Sequence, residues 1–169
     1  MGSTTVERYR RWFEYEKDSH AKVLASLAAV PQAQRTTEGF QKALQLLAHL
    51  VAARRLWLFR FGVAKEGPKA SEFFPRDVSL ADLEAGLSEV QARWSAYFRE
   101  MTEDELQRQF EYQSLEGTWF RNTIEDILAQ LFGHSWYHRG QIALLLRTIG
   151  AEPAVTDLVF WTREPVEGR

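Results

Sequence analysis

The stretch His134-Ser135-Trp136-Tyr137-His138-Arg139-Gly140-Gln141 lies inside a long apolar helical pattern that opens at Asn122 and closes at Gly150, with Pro153 soon after. Read as a helix, its inner face is Ile127, Gln130, Leu131, His134, His138, Gln141 and Leu145. Histidines four residues apart stand one turn above each other, so their imidazoles can converge on one point. That is metal-ligand spacing. Short motifs also match by chance, and two hydrogen-bonded core histidines would leave the same trace, so a third ligand has to decide.

The candidate is His49. Around it Leu46, Leu50, Ala53, Leu56 and Trp57 follow the three-and-four spacing of a buried stripe, which directs His49 into the protein. Packing that helix against the one carrying His134 and His138 gives three neutral nitrogens around one site. They would stand roughly 2.0–2.1 Å from a zinc-like ion, with positions left open for chemistry.

Further out, an aromatic amphipathic helix is expected from about Val6 to Val30, closed by Pro31. His20 within it reads as a solvated surface histidine. The helix of His49 begins after Thr36 or Thr37 and runs to about Phe61 before Gly62, with Arg54, Arg55 and Arg60 on its outer faces as a solvated charged flank. A loop follows to Ser79, with Phe73 and Phe74 expected to tuck it onto the core. So long a connection lets the next helix start at the opposite end of a bundle, and a simple up-and-down course is not required.

Ser79 caps a third helix that runs to about Met101, slightly weakened by Gly86, and Thr102 caps a short turn through Leu106. Phe110 and Tyr112 at period two, a turn at 114–117 and Thr118-Trp119-Phe120 predict a small extended excursion before the last helix. Asn122-Thr123-Ile124-Glu125 reads as the capping box of that last helix. Asp157 to Trp161 forms an apolar tail that should dock on the bundle or a partner subunit. Four helical patterns without a repeat or a linker imply one all-α domain over residues 1–169, most simply a four-helix bundle.

The chain has 169 residues, 45% of them apolar and 26% charged, with a net charge of -2. That describes a globular chain with no basic footprint for nucleic acid. Cysteine is absent, which excludes disulfides, a cysteine-ligated zinc and a cysteine nucleophile. No charge-free run approaches about 18 apolar residues and no signal-like segment opens the chain, so the expectation is a cytoplasmic protein without a membrane partner. Met1-Gly2 hints at lipidation, but Val6 stands where that pattern wants Ser or Thr.

Other metal chemistries lack their residues. Di-iron bundles use Glu-x-x-His pairs, and Leu131 and Ser135 occupy the places of the glutamates. Zincins need Glu directly after the first histidine, where Ser135 stands. Neither a phosphate-binding glycine loop nor a G-x-S-x-G elbow is present.

The run His134-Ser-Trp-Tyr-His138-Arg139-Gly140-Gln141-Ile142, continued by Leu146-Arg147, Gly150, Pro153 and Asp157, resembles the DinB/YfiT-like family of proposed metalloenzymes. His49 and the segment from Leu106 to Gly117 extend the similarity over nearly the whole chain. The resemblance implies an up-down-down-up four-helix bundle, a divalent metal on His49, His134 and His138, and frequent homodimers. It also implies relatives that use a low-molecular-weight thiol, as transferases or isomerases, besides metal-dependent hydrolases.

Three functions are open for a small-molecule substrate. The first is a thiol transferase working at a divalent ion, zinc or nickel first among candidates, with a low-molecular-weight thiol as cosubstrate. Ionising a thiol of pKa near 8.5 gains about thirtyfold at most at pH 7, so positioning must supply the rest, in a pocket walled by Trp57, Trp94 and Trp136. Gln141 is placed to orient an imidazole, Gln130 to lie at the rim, and Arg139 to hold an acidic substrate group or to pair within the bundle. The second is metal-assisted hydrolysis, for which no general base stands out. The third is a non-catalytic dimeric module that binds a metal or ligand.

Overall fold

The computed structural model describes residues 4–168, and Met1-Gly2 lies outside the described residues. In chain order the elements are α1 (Thr5–Ala28), α2 (Glu38–Arg60), α3 (Leu80–Glu100), the short α4 (Glu103–Gln107), an antiparallel hairpin of β1 (Gln109–Gln113) and β2 (Trp119–Thr123), then α5 (Ile124–Thr148) and the short α6 (Leu158–Thr162). Among these, no helix is long and apolar enough to cross a membrane.

Hydroxyl side chains start the long helices. Thr4 and Ser79 form reciprocal capping boxes with Glu7 and Asp82, and Thr37 accepts from the amide of Phe40. The last helix begins one residue later than expected. Asn122 is consumed by the hairpin, where it pairs with Phe110 and accepts the Tyr112 hydroxyl at 2.9 Å, so Thr123 becomes the cap and Asp126 completes its box. At the far end Gly150 (φ 76°) takes the left-handed conformation that lets the Ala151 amide return to the Leu146 carbonyl at 2.9 Å.

Side-chain pairs fix the course of the chain. The Arg10 guanidinium donates to the carbonyls of Phe98, Arg99 and Met101, so the start of α1 meets the end of α3. Gly86 faces Val51, Glu89 pairs with Arg55, and Tyr97 stacks on Phe61, so α3 runs parallel to α2. Gly39 against Ile149 and Arg54 against Leu131 set α2 antiparallel to α5, while Tyr9 with Glu125 and Tyr15 with Arg139 set α1 parallel to α5. The result is an up-down-down-up four-helix bundle. Gly86 has a packing role here, because a Cβ on it would lie 3.1 Å from Val51.

Phe13, Trp94, Phe98 and Phe132 meet in the core, and polar groups cross it beside them. Glu16 and Arg54 form an ion pair, both 4% exposed or less, with the guanidinium between the Trp94 and Phe132 rings. His20 is 3% exposed, and its Nε2 meets the Ser135 hydroxyl at 2.9 Å. The readings of His20 as a surface residue and of Arg54 as a solvated flank are therefore corrected. Phe13, Glu16, His20 and Leu27 recur at core spacing, as do Leu47, Leu50, Arg54 and Leu58, and position on the helix outweighed residue type. The tail docks by an edge contact of Trp161 on Tyr15, whose hydroxyl donates to the Thr156 carbonyl, while Phe160 stays exposed.

Burial pushes the His20 pKa down to about 4. Unfolded, the ring titrates near 6.5, so between these values the unfolded chain holds more protons and stability rises with pH. The contribution, about 3 kcal/mol, is complete above pH 6.5 and lost as pH falls towards 4. Urea unfolding of metal-free protein between pH 4 and 7 should show this slope, and His20→Gln should make it shallower, leaving the part that the lowered pKa values of His134 and His49 contribute. A slope untouched by that substitution would mean that the ring meets water.

Candidate metal centre

The antiparallel contact of α2 with α5 brings His49, His134 and His138 together. The Nε2 atoms of His49 and His134 are 3.1 Å apart, and those of His138 and His134 are 2.9 Å apart. Ligand atoms of all three lie within 4.8 Å of one another, and among the described residues no carboxylate joins the group. All three histidines are at least partly buried.

The reverse side of two rings fixes their protons. His49 Nδ1 lies 3.1 Å from the Phe73 carbonyl oxygen, and His138 Nδ1 lies 2.6 Å from Oε1 of Gln141. An oxygen of this kind only accepts, so each Nδ1 carries the hydrogen and each Nε2 of a neutral ring presents a bare lone pair inward. His134 can donate its own Nε2 hydrogen to one of these neighbours at most. Two of the rings are biased towards the neutral form: burial lowers the His134 pKa to about 4, aided by the neighbouring rings and Arg54, and burial with His138 nearby lowers that of His49. Nitrogens bound to one ion at 2.0–2.1 Å stand about 3–3.4 Å apart. The donor set is compatible with a divalent metal.

Local sequence explains each part. Gln141 follows His138 by three residues, the spacing that faces the same side of a helix. Phe73 and Phe74 arrive from the connection 61–79, which must run back along α2 because α3 starts parallel to it. On the way the Phe74 ring stacks on His49, centroids 4.4 Å apart and planes within 10°. Phe74 is 53% exposed, so it covers a histidine, where a core contact was expected. The Phe73 carbonyl was not foreseen, because a backbone acceptor leaves no mark in a sequence; only the length of the connection pointed towards it.

The other expected residues lie apart. Arg139 is buried against α1, donating to the Tyr15 hydroxyl at 2.5 Å and to the Thr156 carbonyl at 3.5 Å. Of its two expected roles the contacts are structural, with a tyrosine in place of a carboxylate, because position 139 lies about 100° around the helix from His138. Trp94 is fully buried core, and Trp136 packs edge-on against Trp12. Trp57 contacts Phe61, Tyr112 and the Arg60 guanidinium, two helical turns from His49. The three tryptophans therefore do not form one pocket wall. Gln130 is exposed at the rim, one turn before His134.

A sequence model described as the DinB family matches residues 1–166. None of the curated proteins matches the chain. Among solved structures it is similar to YfiT from Bacillus subtilis, described as a probable metal-dependent hydrolase with an unusual four-helix bundle topology. That likeness has a TM-score of 0.65 at 20% sequence identity and covers 89% of this chain and 92% of that one, and it is a likeness of fold.

Elemental analysis after loading with zinc or nickel should give one ion per chain, and His49→Ala or His138→Ala should lose it. Gln141→Leu should keep the stoichiometry at saturation while weakening affinity about 10- to 100-fold, as when the group orienting a metal-bound imidazole is removed. Undiminished metal in both histidine variants would defeat the ligand set.

Proposed function

The chain belongs to the DinB family, and from that premise we propose that it is a metal-dependent enzyme that transfers a low-molecular-weight thiol to a small electrophile. His49, His134 and His138 would hold the divalent ion, zinc or nickel first among candidates, since imidazole suits several such metals. The observation that carries the reading is the set of three imidazole nitrogens, with the outer nitrogens of His49 and His138 engaged by oxygen acceptors and no carboxylate in the group. Such an ion keeps its full double charge, and when bound it supplies Lewis acidity to a thiol or water beside it.

The chain's own residues do the rest. Phe73 and Gln141 hold two imidazoles in the tautomer that faces inward, and Phe74 shields one face of His49 from water. The sulfur forms its bond to carbon as the leaving group departs with the electron pair, and the thiol proton passes to solvent. A thiol needs no base beyond its own ionisation. Water attacking a carbonyl or ester needs a group to take its proton, and among the described residues no carboxylate lies within the cluster. This favours transfer over hydrolysis, the activity ascribed to YfiT.

The test is turnover of 1-chloro-2,4-dinitrobenzene and of 4-nitrophenyl acetate by metal-loaded protein, with and without a panel of thiols. The expected result is consumption of the chloride only when ion and thiol are both present, lost in His138→Ala. Ester turnover without thiol would assign hydrolysis instead, and a folded, metal-loaded protein inert in both assays would point to a binding module.

A further inference from the structure

Gln45, His49, Ala53, Leu56 and Arg60 recur along α2 at steps of four, four, three and four residues, and all five are partly exposed. They form one strip beside α5. Eleven residues bring Arg60 almost directly in line with His49, roughly 16 Å along the helix. Between them the strip offers only the methyl of Ala53 and the side chain of Leu56.

Arg60 is held rigidly at the end of this strip. Its guanidinium lies over the Trp57 ring at 4.7 Å and the Tyr112 ring at 4.9 Å, and one Nη2 hydrogen goes to the Gln113 carbonyl at 2.7 Å. Its neighbours on α2 are matched by acids, Arg54 by Glu16 and Arg55 by Glu89 and Glu72. Among the described residues no carboxylate pairs with Arg60, and its Nε and Nη1 have no acceptor. Burial also pulls its pKa down, opposed only by the Tyr112 hydroxyl. A stacked, half-desolvated guanidinium with free donors is prepared for a planar oxyanion.

We infer that Arg60 is the anion-recognition residue of this strip, and that the small molecule held at the histidines carries a carboxylate-class oxyanion about three helical turns from its reacting end. The inference rests on the proposed metal-dependent function and names the chemistry of its ligand. It reassigns to Arg60 the acid-binding role that the sequence offered to Arg139, which is buried out of reach.

The competing account is structural, with Arg60 serving only to pin the hairpin through Gln113. Calorimetric titration of cobalt-loaded protein separates the two, with thiolate-to-cobalt absorption as a second readout. The probes are 11-mercaptoundecanoate and 11-mercaptoundecanol, whose chains roughly match the three-turn span. The acid should bind about tenfold more tightly than the alcohol, a preference that shrinks as salt is raised. Arg60→Gln should abolish the preference without weakening the alcohol, and Arg60→Lys should keep part of it. Equal affinities in the native protein, or an equal loss for both probes in Arg60→Gln, would overturn the inference. The same pair with hydroxamate heads, which ligate through oxygen, distinguishes the failures. Hydroxamates that show the acid preference while thiols do not bind would sink the thiol reading and keep Arg60. No binding by either head group would sink both.

Discussion

Lone pairs of neighbouring imidazoles aimed at one another repel unless a cation or a shared proton lies among them, and the geometry of α2 and α5 leaves these rings little freedom to turn away. The Phe73 carbonyl and the Gln141 amide oxygen claim the outer nitrogens of His49 and His138, and the Phe74 ring lies flat on His49. Depressed pKa values keep the protonated form out of reach near neutral pH for His134 and His49. The fold itself thereby gathers the three nitrogens, an arrangement compatible with a divalent ion.

The unusual course of the chain is tied to that constraint. Because α3 runs parallel to α2, the connection 61–79 has to travel back along the helix that carries His49, and this return delivers Phe73 and Phe74. A tight turn between antiparallel neighbours would leave no backbone there. On its other side α5 carries Ser135 and Arg139 towards α1, where they meet His20 and Tyr15, while the Glu16–Arg54 pair joins α1 to α2. Buried pairs of this kind add little net stability, but leaving one partner alone costs about 3–5 kcal/mol, so they penalise any slip in helix register that would also misplace the histidines.

Much of this was legible in the sequence because the signals were periodic. The four helices, the hydroxyl caps of α2 and α3, the extended excursion before α5 and the placement of His49 with His134 and His138 on facing helices follow from spacing, while the Thr4 cap of α1 was not foreseen. Two of the errors share one cause, which is reading residue type ahead of position: His20 and Arg54 are polar, yet they fall on the core stripes of α1 and α2. The shift of the α5 cap from Asn122 to Thr123 came from strand register, a long-range property. The Phe73 carbonyl and the stacked guanidinium of Arg60 depend on how a loop and a hairpin return to α2, and such closures between distant segments are set by tertiary packing.

The central claim is that three imidazoles grip one ion through their inward nitrogens. Metal-edge X-ray absorption on the loaded protein reads this directly. The account predicts a first shell with three imidazole nitrogens at about 2.0–2.1 Å, with the outer-shell ring scattering that imidazole produces, and one or more lighter ligands completing it. A shell of oxygen ligands alone, or one with a single imidazole, would contradict it.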